Sequence, residues 1–215
     1  MSQDLLSIIH NQRRNVVQHN VEFLKNKLYL EFGTCHGASM LEYYGLYKEF
    51  GIPSTFYGFD SFQGLPPEPT DTLSHSVWGP GDFSTNGNIN PELLNKPEIR
   101  IVDGWFCDTL TDSIAEEFGD KKVGLLHIDC DIYTSTIEAL EFIIKHKLLV
   151  DGTIVVYDDW GGWRQAGLSE DQQYDMGEGR AHREICEKYD LNFELINKAV
   201  PASEFYEIAT FIYRR

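Results

Sequence analysis

Two apolar runs that each lead into a pair of aspartates constrain this chain more than any other feature of its sequence. The run VGLLHI precedes Asp129 and Asp131, and the run GTIVVY precedes Asp158 and Asp159. Because neither run alternates polar and apolar residues, both are predicted to be parallel strands that are buried on both faces. The carboxyl ends of such strands meet at one edge of the sheet, so we expect four carboxylates to gather there.

These four aspartates pose an electrostatic problem that points to a bound cation. Carboxylates that are buried together destabilise one another unless a positive charge lies among them. Divalent cations such as magnesium prefer oxygen ligands, so the pattern indicates a metal-assisted active site. Any one of them could instead cap a turn or helix, as Asp131 could before Thr134, or Asp158 or Asp159 at a turn. Four incidental caps at neighbouring strand ends explain the pattern less well.

Length and charge restrict the architecture and the partners. With 215 residues, of which 42% are hydrophobic, the chain is large enough for a substantial core and is predicted to form one domain over residues 1–215. Its formal net charge is −16, and it has no cluster of lysine or arginine that could replace the counterions of a nucleic acid. The same charge opposes binding to an anionic membrane surface. We expect neither nucleic acid nor membrane as a partner.

The N-terminal sequence and the cysteines indicate the compartment. No apolar stretch approaches the roughly 20 residues of a membrane helix, and the opening residues MSQDLLSIIHNQRRN lack the apolar core of a signal peptide. Cys35, Cys107, Cys130 and Cys186 are widely spaced, without a CxxC pair, which favours free thiols. A cytoplasmic location is the expectation.

The order of apolar patterns predicts an α/β fold built on a parallel sheet. Residues 1–27 are predicted to form a helical cover, because their apolar residues have helical spacing. Strands are predicted for residues 28–32, 55–59, 99–102, 123–128, 153–157, 192–196 and 207–213, and helices for 38–50, 111–118, 134–145 and 179–189. The alternation predicts five parallel strands with helices on both faces. The last two strands, joined by a short connection through Pro201, predict an antiparallel hairpin.

Two long segments without a helix or strand pattern, 65–97 and 160–178, are predicted to be active-site loops. Trp78 and Phe83 in the first segment, and Trp160 and Trp163 in the second, favour ordered lids over disorder, because disordered segments are poor in aromatic residues. Such rings could stack on a sugar or on a phenol.

Three further strand ends have features of a nucleoside site. The first strand leads into EFGTCHGAS, a turn that contains glycine and precedes a helix. Gly33 is followed by Cys35 and Ala38 where a dinucleotide fingerprint has glycine, so a bound pyrophosphate is disfavoured. Asp60 ends the second strand, where a carboxylate could accept hydrogen bonds from ribose hydroxyls or cap a turn. After the third strand, Trp105 could line an adenine pocket or pack in the core.

His127 shares a strand face with Asp129, because the two residues are two positions apart. We predict a buried, hydrogen-bonded histidine at this position.

Five motifs give the chain a family resemblance. In order they are EFGTCHGAS, YGFDSFQGLP, DGWFCDTL, HIDCDIYTSTIEALEF and DGTIVVYDDW. They resemble the macrocin O-methyltransferase family, which includes the sugar methyltransferases of novobiocin and mycinamicin biosynthesis. The similarity extends over residues 28–189, and the combination of DSFxGLP with HIDCDxYxST is its most specific part. Residues 71–95 and 161–177 match the family only loosely, so the identity of the acceptor molecule is not predicted.

The resemblance implies a class I methyltransferase fold, a Rossmann-like sheet of seven strands with five parallel strands and a C-terminal antiparallel hairpin. It also implies S-adenosylmethionine as the methyl donor and a divalent metal, usually magnesium. The implied metal ligands are Asp129, Asp158 and Asp159, and the implied catalytic residues are Asp131, as general base, and Asp129. The implied cofactor-binding residues are Glu31, Gly33, Thr34, Gly37, Ser39, Asp60, Ser61, Gly104, Trp105 and Asp129.

The predicted function is metal-dependent O-methylation of a hydroxyl on a sugar or glycosylated small molecule. A sugar hydroxyl is a weak nucleophile at neutral pH, and coordination to a dication lowers its pKa and orients its oxygen. Two alternatives stay open: a catechol-type or phenol O-methyltransferase, and a non-catalytic cofactor-binding module of the same fold. The N-terminal helix and the long loops also offer apolar surface through which a homo-oligomer could form.

Overall fold

Seven strands form one mixed β-sheet in the computed structural model, which describes residues 3–69, 78–161, 169, 172, 175–199 and 207–215. The strands are β1 (Leu28–Phe32), β2 (Thr55–Asp60), β3 (Ile99–Asp103), β4 (Val123–Ile128), β5 (Ile154–Tyr157), β6 (Asn192–Ala199) and β7 (Ile208–Arg214). Their spatial order is β3-β2-β1-β4-β5-β7-β6. The first five strands are parallel, and β7 lies antiparallel between β5 and β6. The predicted fold class is confirmed.

The central strands are buried along their whole length because both of their faces are covered. Every residue of β1, β4 and β5 is buried. Along β1, Leu28, Leu30 and Phe32 contribute to the core on one face, whereas Tyr29 contributes to the core on the other. This alternation is the period of two that a strand imposes on its side chains.

Helices pack against both faces of the sheet. They are α1 (Gln3–His19), α2 (Val21–Leu24), α3 (Ala38–Glu49), α4 (Pro91–Leu94), α5 (Phe106–Thr109), α6 (Asp112–Glu117), α7 (Tyr133–Lys145) and α8 (Gly177–Tyr189). Apolar residues of α1, α2 and α3 form the core on the Tyr29 face. Those of α7 and α8 form the core on the opposite face. The predicted helical cover thus corresponds to α1 and α2.

Differences from the sequence-based elements concern short helices and element ends. The four-residue helices α4 and α5 were not predicted, because one helical turn carries too little periodicity to recognise. The strand β6 continues to Ala199, beyond the predicted end at residue 196. The connection through Pro201 lies outside the described residues.

Over the part of the chain that the structure describes, no helix combines the length and the apolar character needed to cross a membrane.

Candidate active site

Strand register brings the ends of β1, β4 and β5 to the same edge of the sheet. Phe32 pairs with Ile128, and Ile128 pairs with Tyr157. The backbone ladder continues one residue further, because the amide of Asp129 donates to the Phe32 carbonyl and the amide of Asp158 donates to the Ile128 carbonyl, both at 2.9 Å. The residues that follow the three strands are therefore neighbours, as the sequence predicted.

A cavity of about 650 Å³ lies at this edge. Among the residues that the sequence singled out, its wall contains Gly33, Asp60, Ser61, Trp105, Asp129, Asp131 and Asp159. The structure does not place Glu31, Thr34, Gly37, Ser39, Gly104 or Asp158 in that wall. Asp158 nevertheless lies next to Asp129, since one carboxylate oxygen of each and a ring nitrogen of His127 lie within 4.8 Å of one another.

The predicted carboxylate cluster exists, and its members repel one another. Burial and the charges of Asp158 and Asp159 raise the pKa of Asp129 well above its ordinary value. Burial and the charge of Asp129 likewise raise the pKa of Asp131, although a hydrogen bond to the Asp159 side chain opposes the shift. Two carboxyl groups can share a hydrogen bond only when one of them carries a proton. The raised pKa values of Asp129 and Asp131 reflect the mutual repulsion of the clustered carboxylates, which a bound cation would relieve.

His127 is a fully buried link between two carboxylates. Its Nδ1 lies 3.1 Å from Glu31 Oε2, and its Nε2 lies 3.3 Å from Asp158 Oδ1. Burial opposes a charge on the ring, but the hydrogen bonds to Asp158 and Glu31 raise the pKa of His127 to about 10. With both ring nitrogens against carboxylate oxygens, the ring is a donor to each, so we do not regard it as a metal ligand. The predicted structural role of His127 is confirmed.

Glu31 is buried near the end of β1 and does not line the cavity. Its side chain is fully buried and accepts hydrogen bonds from the Tyr29 hydroxyl and, at 3.0 Å, from the Ser39 hydroxyl. Together with His127, these contacts fix the first strand end against the fourth strand.

Arg13 adds a cation that the sequence-based site did not include. Its Nη1 donates to Glu42 Oε2 at 2.6 Å, and its Nη2 lies 3.6 Å from Asp158 Oδ1. The residue is buried although it belongs to the N-terminal helix. The signal in the sequence is its position: Arg13 lies four residues from both Ile9 and Val17, on the apolar face of α1.

Glu178, also missed from the sequence, joins the two acidic strand ends. It is fully buried in the first turn of α8. Its Oε1 accepts from the amide of Cys130 at 3.2 Å, and its Oε2 accepts from the amide of Asp159 at 3.0 Å. Nothing local in the sequence indicates this role, because the bonded residues lie 48 and 19 positions away.

The first turn and Asp60 form one hydrogen-bonded unit at the cavity. Asp60 Oδ2 accepts from the amide of Cys35 at 2.7 Å, and Oδ1 accepts from the amide of Phe62 at 2.6 Å. Asp60 therefore has the turn-capping contacts considered from the sequence, and it also lines the cavity. Ser61 accepts from the amide of Gln63 at 3.1 Å, which continues the same turn.

Three of the remaining predicted cofactor residues, Gly37, Gly104 and Thr34, do not line the cavity. Gly37 faces Leu93, whose Cδ1 would lie 2.3 Å from an added Cβ. Gly104 donates from its amide to the Asp60 carbonyl at 2.9 Å and so continues the strand ladder. Thr34 is buried, and its carbonyl accepts from the amide of Gly37 at 2.7 Å.

The first long loop supplies apolar residues to the cavity wall. Leu65, Pro66, Pro67, Trp78 and Phe83 line the cavity. The Trp78 and Phe83 rings pack edge to face, with centroids 4.7 Å apart. The backbone bonds from Leu65 to Asp82 and from Gly81 to Leu65 join the two sides of this loop.

Trp160 does not belong to this aromatic wall. Its ring packs against Tyr157 and Phe211, with centroid distances of 5.2 and 4.6 Å. Its ring is not in the cavity wall, because the chain turns toward β7 at this point, where the Trp160 amide donates to the Glu207 carbonyl at 3.0 Å. Trp163 lies outside the described residues.

The donor set fits both groups that the family resemblance implies. For a divalent cation, the site offers clustered carboxylate oxygens in an excess that the nearby Arg13 and His127 do not balance. For a nucleoside cofactor, the cavity combines a glycine turn, the Asp60 carboxylate at the end of β2 and the Trp105 ring. Its volume is within the usual range for small-molecule sites, roughly 300–1,000 Å³.

Solved structures of methyltransferases have the same fold. The O-methyltransferase NovP is 19% identical, with a TM-score of 0.67 over 97% of this chain and 80% of its own. The calicheamicin methyltransferase CalS11 is 16% identical, with a TM-score of 0.64 over the same shares. An O-methyltransferase from Bacillus cereus in complex with SAH is 15% identical, with a TM-score of 0.55 over 95% of this chain and 81% of its own. A search of curated proteins gives no significant match.

A family model decides the relationship. The model described as macrocin O-methyltransferase (TylF) matches residues 5–172, which is most of the chain and contains all the predicted site residues. The chain therefore belongs to the macrocin O-methyltransferase (TylF) family of S-adenosylmethionine-dependent O-methyltransferases.

Proposed function

We propose that this protein methylates a hydroxyl group of a sugar or of a glycosylated small molecule, with a divalent cation, magnesium, at the edge of the sheet. One observation carries the proposal. Asp129, Asp131 and Asp159 line the same cavity as the glycine turn and Asp60. A methyl donor bound by the turn and an acceptor bound at the carboxylates would thus share one space.

Asp129, Asp158 and Asp159 would hold the cation. When bound, it would lower the pKa of an acceptor hydroxyl and fix the position of its oxygen. The protein's own part is to keep the three carboxylates in place. Arg13 and His127 both contact Asp158 Oδ1, so this side chain has a fixed orientation before any ligand binds.

Asp131 is our candidate for the group that accepts the hydroxyl proton. It lines the cavity, and its backbone has a φ of +60°, a conformation that turns the chain sharply after Asp129. A carboxylate in this position can take a proton from an acceptor that lies between it and the methyl donor.

The wall of the cavity supports an acceptor without phosphate groups. Among the described residues that line it there is no lysine or arginine, the side chains that usually bind phosphate. The N-terminus of α7, another natural anion site, already receives a carboxylate, because the amide of Thr134 donates to Glu68 Oε1 at 2.8 Å. The Trp78 and Phe83 rings offer an apolar surface instead. A glycoside suits this wall better than a nucleotide sugar such as the TDP-rhamnose of CalS11.

A screen of matched acceptors tests the proposal. Formation of S-adenosylhomocysteine is measured with methyl α-L-rhamnoside and other methyl glycosides, with TDP-rhamnose and with catechol, each with magnesium and with EDTA. We expect magnesium-dependent turnover with a glycoside, and at least about tenfold lower kcat/KM with TDP-rhamnose, a difference of about 1.4 kcal/mol.

Each other outcome of the screen points to a different function. Preference for catechol would support the phenol-type alternative, and preference for TDP-rhamnose would refute the acceptor class. Tight S-adenosylmethionine binding without turnover on any acceptor would favour a non-catalytic module.

A further inference from the structure

Glu178 holds the two halves of the carboxylate cluster together. Its two oxygens accept hydrogen bonds from the amide of Cys130, which lies between Asp129 and Asp131, and from the amide of Asp159. The residue comes from α8, which follows the second long loop, and its side chain is fully buried. It is not in the cavity wall, so it is not placed to contact an acceptor.

The two acidic strand ends need such a link because the sheet ladder ends just before them. The last ladder bond between β4 and β5 runs from the amide of Asp158 to the Ile128 carbonyl. After this bond the two segments no longer pair with each other. The amide of Ile132 donates to the Cys130 carbonyl, and the amide of Trp160 donates to the Glu207 carbonyl. Glu178 therefore continues the connection between two segments whose backbones have diverged.

A carboxylate is chemically suited to this role. It has two oxygens that both accept, whereas a glutamine amide would set a donor against one of the two N–H groups. Burial and the charges of Asp159 and Asp129 raise the pKa of Glu178 well above its ordinary value. Its position in the first turn of α8, near the positive end of the helix dipole, offsets part of this cost to the ionised form.

We propose that Glu178 is a positioning residue that sets the spacing between the Asp129–Asp131 segment and the Asp158–Asp159 segment, and thereby the affinity of the site for its divalent cation. The inference rests on the proposed function, since it assumes that these segments hold the cation. It predicts that a substitution at Glu178 lowers the affinity for the cation by displacing the aspartates, and that it leaves the glycine turn after β1 unchanged.

The test compares Glu178→Gln with Glu187→Gln, an exposed glutamate of the same helix. Calorimetry measures magnesium and S-adenosylmethionine binding separately. Groups that orient metal ligands typically contribute ten- to a hundredfold to affinity, so we expect Glu178→Gln to weaken magnesium binding by about that factor and cofactor binding by less than about threefold. The KM for magnesium should rise, and kcat should recover at saturating magnesium. Glu187→Gln should match the wild type in magnesium affinity, cofactor affinity, KM for magnesium and kcat.

Amide exchange gives a reading that does not depend on metal. At least one of the amides of Cys130 and Asp159 should exchange faster in Glu178→Gln, because the glutamine carbonyl can accept from only one of them and the lost hydrogen bond opens a local route to solvent. Unchanged exchange at both amides would overturn the inference, whether or not the chain binds magnesium.

A second variant covers the case in which Glu178→Gln does not fold. Glu178→Asp keeps the charge but is one methylene shorter, so it cannot reach both amides and carries the same prediction. Unchanged magnesium affinity in either folded variant would contradict the inference. A wild-type protein that binds no magnesium would contradict the proposed function instead.

Discussion

Gly33 shows how a single residue couples the glycine turn after β1 to the carboxylate cluster. A Cβ at this position would lie 1.8 Å from the carbonyl oxygen of Asp129, and the backbone φ is +91°. Both observations exclude a side chain, the first by contact with backbone and the second by conformation. The turn after β1 can therefore pack directly on the strand end that carries Asp129.

We predict opposite effects for alanine at Gly33 and at Gly45. Gly33→Ala should lower the free energy of unfolding by about 1–3 kcal/mol, the usual cost of such backbone strain, and should displace Asp129. Gly45 lies within α3 with open space around an added Cβ, so Gly45→Ala should stabilise by about 0.5–1 kcal/mol. Urea unfolding measures both, and a Gly33→Ala protein as stable as the wild type would show that the turn can move.

The site residues that could be predicted from the sequence are those that directly follow a predicted strand. Asp129 and Asp159 follow buried strands, so their meeting could be inferred from parallel topology alone. Glu178 and Arg13 could not be placed in the same way. Each reaches the site from a distant helix, and the direction in which that helix crosses the sheet is decided by packing rather than by local pattern.

At the scale of elements, α8 is fixed to the sheet by an aromatic cluster around His182. The ring stacks on Phe211 with centroids 4.6 Å apart and also contacts Trp160 and Phe193. The Tyr157 hydroxyl lies 2.9 Å from Nδ1. Burial lowers the pKa of His182 to about 4. The helix that carries Glu178 is thus held by a histidine that is neutral at physiological pH.

This histidine should make the stability of the protein depend on pH. Between pH 6.5 and 4 the unfolded chain binds a proton at His182 that the folded chain does not, so the free energy of unfolding should fall as the pH falls. The contribution is of order 3 kcal/mol across that interval. The variant His182→Phe removes it. Unfolding titrations of both proteins at pH 7 and 4.5 should show a smaller loss in the variant, and equal losses would contradict the assignment.

Long elements were predicted well, and short or displaced ones were not. The strands β1 and β4 match their predicted bounds, since an uninterrupted apolar run has a clear beginning and end. The helices α4 and α5 have four residues each and depend on local caps and tertiary contacts. The sequence around Trp160 predicts a loop, yet the partly buried Trp160 ring packs against the core beside Tyr157 and Phe211.

At the scale of the whole molecule, the fold gathers charges from distant parts of the chain into one polar unit. Arg13 comes from the first helix, Glu31 from β1, His127 from β4 and Glu178 from α8. These residues hold the aspartates on an apolar sheet in a strongly acidic protein. Under the proposed function, we predict that loss of one aspartate of the cluster abolishes metal-dependent methyl transfer and leaves S-adenosylmethionine binding unchanged.

Methyl transfer by Asp158→Asn, measured with magnesium and with EDTA, tests the central claim most directly. The control is Asp151→Asn, which changes an exposed aspartate near the opposite end of β5. We predict that Asp158→Asn binds S-adenosylmethionine as the wild type does, loses roughly a hundredfold or more in turnover, and no longer responds to EDTA. Full turnover in this variant, or in the wild type without metal, would contradict a metal-dependent mechanism.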